Sequence, residues 1–191
     1  MMRTAIVFAV LCAAPFTVFS QAGQSVLVAD FNKTNSISNI GTDFGTWDKD
    51  PADPTQGCRM KFVRDDSSLD PKGHSLRLEY DVDSPHPAFN GFWLKLGGRK
   101  AVDFRTLSFS IKGDGESGFP ESVKIEIKTT GGKALSLYIH GIKGEWQTFD
   151  IMLEPLANIG ERISEFTIVF EDTVTRPKVG AILLDQILLK R

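Results

Sequence analysis

Two aromatic residues break an otherwise regular alternation, and their chemistry suits recognition of a flat, hydroxylated ligand. In Gly91–Leu96 the apolar series is Phe92, Leu94 and Leu96, which sends Trp93 and Lys95 to the opposite face. In Ala134–Ile142 the inward series is Leu135, Leu137 and Ile139, leaving Tyr138 and His140 outward. In Ser75–Asp83, Leu76, Leu78, Tyr80 and Val82 alternate with outward Arg77, Glu79 and Asp81. A flat ring covers the C–H face of a pyranose while polar neighbours bond its hydroxyls. Trp93 and Tyr138 are therefore the expected stacking rings, with Arg77, Glu79, Lys95 and His140 as polar contacts. The pattern fits equally well if a loop or the N-terminal segment buries both rings, and alternation alone leaves the two open.

Residues for catalysis are harder to assemble. Hydrolysis of a glycosidic bond needs two carboxylates about 5–10 Å apart across a cleft. Outward Glu79, Asp81 and Glu126 are candidates, but Arg77 and Lys124 beside them read as cross-strand partners on a wetted sheet. His74, His86 and His140 are scattered, with no nucleophile motif or His-x-x-x-His pair beside them. There is no Gly-x-Ser-x-Gly, phosphate loop or dinucleotide fingerprint. Asp48, Asp50 and Asp53 crowd a Pro-rich loop without the Gly and closing Glu of an EF-hand, and read as Asx turns. Trp47 before them reads as a plug beneath that loop.

The elements that must position these residues are strands. Ten segments carry the alternation: Ser25–Phe31, Met60–Arg64, Ser75–Asp83, Gly91–Leu96, Thr106–Lys112, Ser122–Thr129, Ala134–Ile142, Trp146–Leu153, Glu165–Glu171 and Gly180–Lys190. Turn signals separate them, including Asp70-Pro71-Lys72-Gly73, Gly97-Gly98 and Gly131-Gly132. Only Leu153–Glu161 has room for a turn of helix. This is an all-β pattern, an antiparallel β-sandwich or jelly roll. With 22 Lys and Arg against 24 Asp and Glu, and the basic residues dispersed, a nucleic-acid groove is excluded.

The first residues follow a different rule. Met1-Met2-Arg3 precedes an apolar run to Val18, and small residues follow at Ser20 and Ala22, the pattern of a secretory signal peptide. Residues 1–22 are the expected signal and 23–191 a single sandwich domain, secreted or periplasmic and without a membrane span once the signal is removed. Cys12 leaves with the signal, so Cys58 is expected as a lone, buried, inert thiol.

Val28-Ala-Asp-Phe-Asn32, Gly144-Glu-Trp-Gln-Thr-Phe-Asp150 and Ile182-Leu-Leu-Asp-Gln-Ile-Leu188 together resemble the galactose-binding-domain-like sandwiches. Among these the likeness is to family 11 carbohydrate-binding modules and complex I intermediate-associated domains. Asn39–Cys58 and Asp83–Trp93 also resemble secreted bacterial members of that group. The resemblance implies a structural calcium ion held by Asp30 and Asp185, with Asn32 and Gln186 standing where the family pattern has acids. Plain alternation puts Asp185 among Leu183, Ile187 and Leu189, so the alternative to calcium is hydrogen bonding to backbone amides.

Taken together, the expectation is a secreted, non-catalytic module binding a poly- or oligosaccharide. The alternatives are an envelope assembly domain whose aromatic face docks a protein, and a hydrolase using outward carboxylates.

Overall fold

Among the described residues the period-2 alternation is realised as eleven strands in two antiparallel sheets. A computed structural model describes residues 25–64 and 73–191; the expected signal peptide at 1–22 and residues 70–72 of one expected turn lie outside the described residues. The strands are β1 (Val26–Ala29), β2 (Phe44–Asp48), β3 (Gly57–Val63), β4 (Ser75–Asp81), β5 (Phe89–Lys100), β6 (Thr106–Gly113), β7 (Ser122–Thr129), β8 (Ala134–His140), β9 (Gln147–Met152), β10 (Arg162–Glu171) and β11 (Val179–Lys190). A short helix, α1 (Glu154–Ala157), occupies the one stretch with helical room and carries Pro155 in its first turn, where no amide is required.

One layer has six strands in the order β3-β4-β11-β6-β9, with β1 also pairing β11. The other has five, ordered β2-β5-β10-β7-β8. Their inner faces interdigitate as the alternation requires: Leu76, Leu78 and Tyr80 from β4 and Phe92, Leu94 and Leu96 from β5 are all buried. Tyr80 stacks on Phe170 across the layers at 4.3 Å, and Phe109 packs against Phe166 at 5.1 Å. Cys58 lies in this core, where burial pushes its thiol well above the ordinary value and keeps it unreactive.

Two expectations fail at glycines. Phe44–Asp48 is not among the ten expected strands but forms β2, pairing Gly45 with Trp93 and Trp47 with Gly91. Its five residues include strand-poor Gly45 and Asp48 and lie between turn-formers, so the alternation is too short to stand out. Gly97-Gly98 was expected to end its strand, yet β5 runs through it. Both glycines have positive φ, 72° and 64°, and form a bulge: Lys95 pairs with Glu165, and the next ladder partners are Arg99 and Ile163.

A second bulge corrects the expected face of Asp185. Asp185 pairs with Ser110 and Leu188 with Ser108, so β11 carries one extra residue, Gln186, at φ 47°. The bulge reverses the parity beyond it. Leu184, Ile187 and Leu189 enter the core, whereas Asp185 stays on the side of Leu183.

Candidate ligand-binding face

Register places the outward side chains of the five-stranded sheet in rows. Trp47, Gly91, Val169, Lys124 and Tyr138 form one row; Gly45, Trp93, Thr167, Glu126 and Ser136 the next; Lys95, Glu165, Lys128 and Ala134 a third. Phe89 and Glu171 face each other beyond the first. The result is a face with aromatic rings at the β2–β5 side, small or β-branched residues along the floor, and charges on β7 and β10.

Trp93 is half-buried, and its indole lies over Gly45 of β2. A Cβ built on Gly45 would sit 3.1 Å from Cζ2 and 3.3 Å from Nε1. Trp47 meets Phe89 edge to face at 5.7 Å, extending the aromatic side. Trp47 is therefore a wall of this face, and the expectation of a plug under a loop is corrected. These rings and the charges opposite line a groove of about 480 Å³.

The charges are paired. Glu165 accepts from Lys95 and, at 2.8 Å, from Lys128. Lys124 bonds Glu126 at 3.0 Å and Glu171 at 3.3 Å, while the Tyr138 hydroxyl donates to Glu171 at 2.6 Å. Burial raises the Glu165 carboxyl, but the two ammonium groups outweigh it and hold the group below its ordinary range. The bond to Glu171 raises the Tyr138 phenol, because ionisation would place two negative charges together.

The expected site residues divide between the two layers. Trp93, Lys95, Tyr138 and His140 share this face, with Tyr138 and His140 on the edge strand β8 and their rings 6.4 Å apart. Trp93 and Tyr138 are three strands apart, about 14 Å at sheet spacing. Arg77 and Glu79 are not with them. Both stand on β4, on the outer face of the six-stranded sheet. There Arg77 is committed to Asp114 and Ser117, each at 2.7 Å, and to Glu79, which also accepts from Lys61 at 2.7 Å. Alternation separates inside from outside; a sandwich has two outsides, and alternation does not tell them apart. The same division separates Glu79 and Asp81 from Glu126, so those acids cannot flank one bond.

Sequence reasoning missed Trp47, Phe89, Glu165 and Glu171. A continuous alternation Phe89, Gly91, Trp93, Lys95 was available for one of them. The others needed the pairing of β2 and β10 with β5.

One side-chain oxygen of each residue expected to hold calcium accepts a backbone amide. Asp30 Oδ1 accepts from Asn32 N at 3.2 Å across a turn that drops Phe31 (φ 55°) into the core. Asn32 Oδ1 accepts from His74 N at 2.7 Å, and Asp185 Oδ1 from Gln186 N at 2.7 Å at the bulge. Among the described residues no group of three or more His, Cys, Asp or Glu converges as a metal site. Each of these three oxygens accepts a backbone amide, the arrangement that the hydrogen-bonding alternative to calcium expects. The Asp48–Asp53 loop behaves likewise: Asp48 caps Cys58 N at 2.6 Å, Asp50 caps Ala52 N at 3.0 Å, and Asp53 caps Thr55 N at 2.9 Å.

No protein-family model matches the chain, and no curated protein matches it by sequence. Solved structures do. The family 11 carbohydrate-binding module of a cellulosomal cellulase of Clostridium thermocellum superposes with a TM-score of 0.60 at 15% identity, covering 89% of this chain and 96% of that one. The Clostridium thermocellum family 11 module in complex with a β-1,3-1,4-mixed-linked tetrasaccharide gives 0.61 at 16% identity, covering 90% and 97%. An exo-β-agarase gives 0.58 at 10% identity, covering 86% of this chain but 25% of that one. The chain has the β-sandwich of family 11 carbohydrate-binding modules; identities this low establish the fold and nothing finer.

Proposed function

We propose that this chain is a non-catalytic carbohydrate-binding module whose ligand lies along the outer groove of the five-stranded sheet. The observation behind this is the Trp93 indole laid over Gly45 beside Trp47 and Phe89 in an open groove. A ring seated over a strand position without a side chain offers a platform to a sugar face. Glu126, Lys124 and Lys128 across the groove offer donors and acceptors to hydroxyls. Tyr138 and His140 extend the same face towards the edge. Residues 1–22 would carry the protein out of the cytoplasm, where such ligands are met.

A non-catalytic role is supported by the pairing of the groove carboxylates with lysines, which holds them as charged structural partners. An acid catalyst needs the reverse, a carboxyl pushed up towards neutrality.

The test is retention by immobilised neutral glucans, with the β-1,3-1,4-mixed-linked polymer as first probe because a protein of this fold binds such a tetrasaccharide. Saturable binding without release of reducing ends is expected. Failure to bind any glycan, with stable co-purification of an envelope protein, would favour the assembly reading. Reducing ends released at a rate that depends on Glu165 or Glu126 would overturn the non-catalytic one.

A further inference from the structure

The Trp93 indole has two close neighbours on this face. Gly45 lies beneath it, and the Lys95 ammonium sits over the ring, 5.3 Å from its centroid. We propose that Lys95 is a removable cap that competes with the ligand for the Trp93 ring, which makes it a negative determinant of affinity. This rests on the carbohydrate-binding reading of the groove.

Three observations make the cap displaceable. Its backbone is pinned, with Lys95 N donating to Asp43 O at 3.0 Å and Lys95 O accepting from Thr42 Oγ1 at 2.6 Å. Movement is thus confined to the side chain. That side chain is 51% exposed, so the ammonium can leave the ring for water without a desolvation barrier. Its partner Glu165 is only 12% exposed, and a carboxylate so covered must not lose its last counter-ion. It does not. Lys128 stays on the other oxygen at 2.8 Å, and Thr167 Oγ1 donates to that oxygen at 3.3 Å. Glu165 therefore parks Lys95 over the ring and remains satisfied when Lys95 departs. A sugar face and an ammonium both seek the indole π-surface, so whichever occupies it excludes the other.

The experiment compares wild type with Lys95→Met, which keeps length and removes charge, and Lys95→Arg, whose planar group covers an indole better. Binding to the mixed-linked glucan is measured by calorimetry. The Trp93 indole N–H resonance, assigned by its loss in Trp93→Phe, is followed without glucan. Lys95→Met is expected to bind about two- to fivefold more tightly, the inverse of the cation–π contact it removes. Lys95→Arg is expected to bind more weakly, and the Trp93 resonance to move in Lys95→Met before glucan is added. Unchanged or weaker binding by Lys95→Met would overturn the cap, because Lys95 would then be a spectator or a direct donor. An unmoved resonance would also overturn it. Should no variant bind the glucan, the carbohydrate reading fails for that probe, and the ligand-free resonance alone decides whether Lys95 covers the ring.

Discussion

The Trp93 indole covers Gly45 on the neighbouring strand, and it can lie there because Gly45 has no side chain. A methyl at Gly45 would stand 3.1 Å from Cζ2, inside normal contact distance, and would tilt the ring away from the sheet. Gly45 has ordinary strand backbone, so Gly45→Ala should fold with its melting temperature within a few degrees of wild type. Glucan affinity should fall roughly threefold to tenfold, the worth of one aromatic contact. Tryptophan emission should shift alongside. Calorimetry and fluorescence on the same sample check both.

The Lys95–Glu165–Lys128 group gives the groove an acid limit. The Glu165 carboxyl is held below its ordinary value in the folded protein, so its contribution is present above the unfolded value of about 4.3 and is lost as pH falls through the folded one. Glu165→Gln should therefore melt below wild type at pH 7, and the gap should close between pH 4 and the folded value. Thermal melts of both proteins across that range test the sign. A gap that widened on acidification would mean that burial, not the lysines, sets this group.

Both tyrosines should ionise late. Tyr138 is raised by its bond to Glu171 and Tyr80 by burial, and the chain has 2 tyrosines. At pH 10, where half of an ordinary tyrosine is ionised, tyrosinate absorbance should be small. Glu171→Gln should bring the Tyr138 step back towards its usual position and leave Tyr80 where it is. Stability linked to these groups is present below pH 10 and declines as each phenol titrates.

What was legible in the sequence followed the strength of local alternation. β4, β6 and β7 have clean apolar series, and their inner faces in the sandwich are the ones alternation assigns. Trp93 and Tyr138 were assigned outward on the same grounds, and they are outward on one sheet. The failures share one cause: they concern which strand lies beside which, or where a bulge resets the parity. Arg77 and Glu79 were grouped with Trp93 because both sets face out, whereas β4 and β5 belong to different layers. Gln186 shifted Asp185 relative to Ile187, and no local pattern marks a non-glycine bulge. Trp47 was hidden because β2 is short and its purpose, to pair with β5 and seat an indole on Gly45, is a long-range fact.

The Asp30–Asn32–Asp185 junction should not depend on calcium. Each of its oxygens described above caps a backbone amide, so the turn at Phe31 and the bulge at Gln186 are held by the chain itself. A bound ion would stabilise the native state by mass action. The melting temperature should agree in excess EDTA and in millimolar calcium. A rise of about 3 °C or more with calcium would show that the donors rearrange around an ion.

The most direct test is glycan binding by Trp93→Ala beside wild type, with near-ultraviolet circular dichroism as the check on folding. The ring lies on the outer face of the five-stranded sheet and not between the layers, so its loss should leave the core intact. Binding should weaken by about tenfold or more, because a large flat contact is removed from the aromatic side of the groove. A well-folded Trp93→Ala that holds the glucan as tightly as wild type would contradict a sugar platform at this groove.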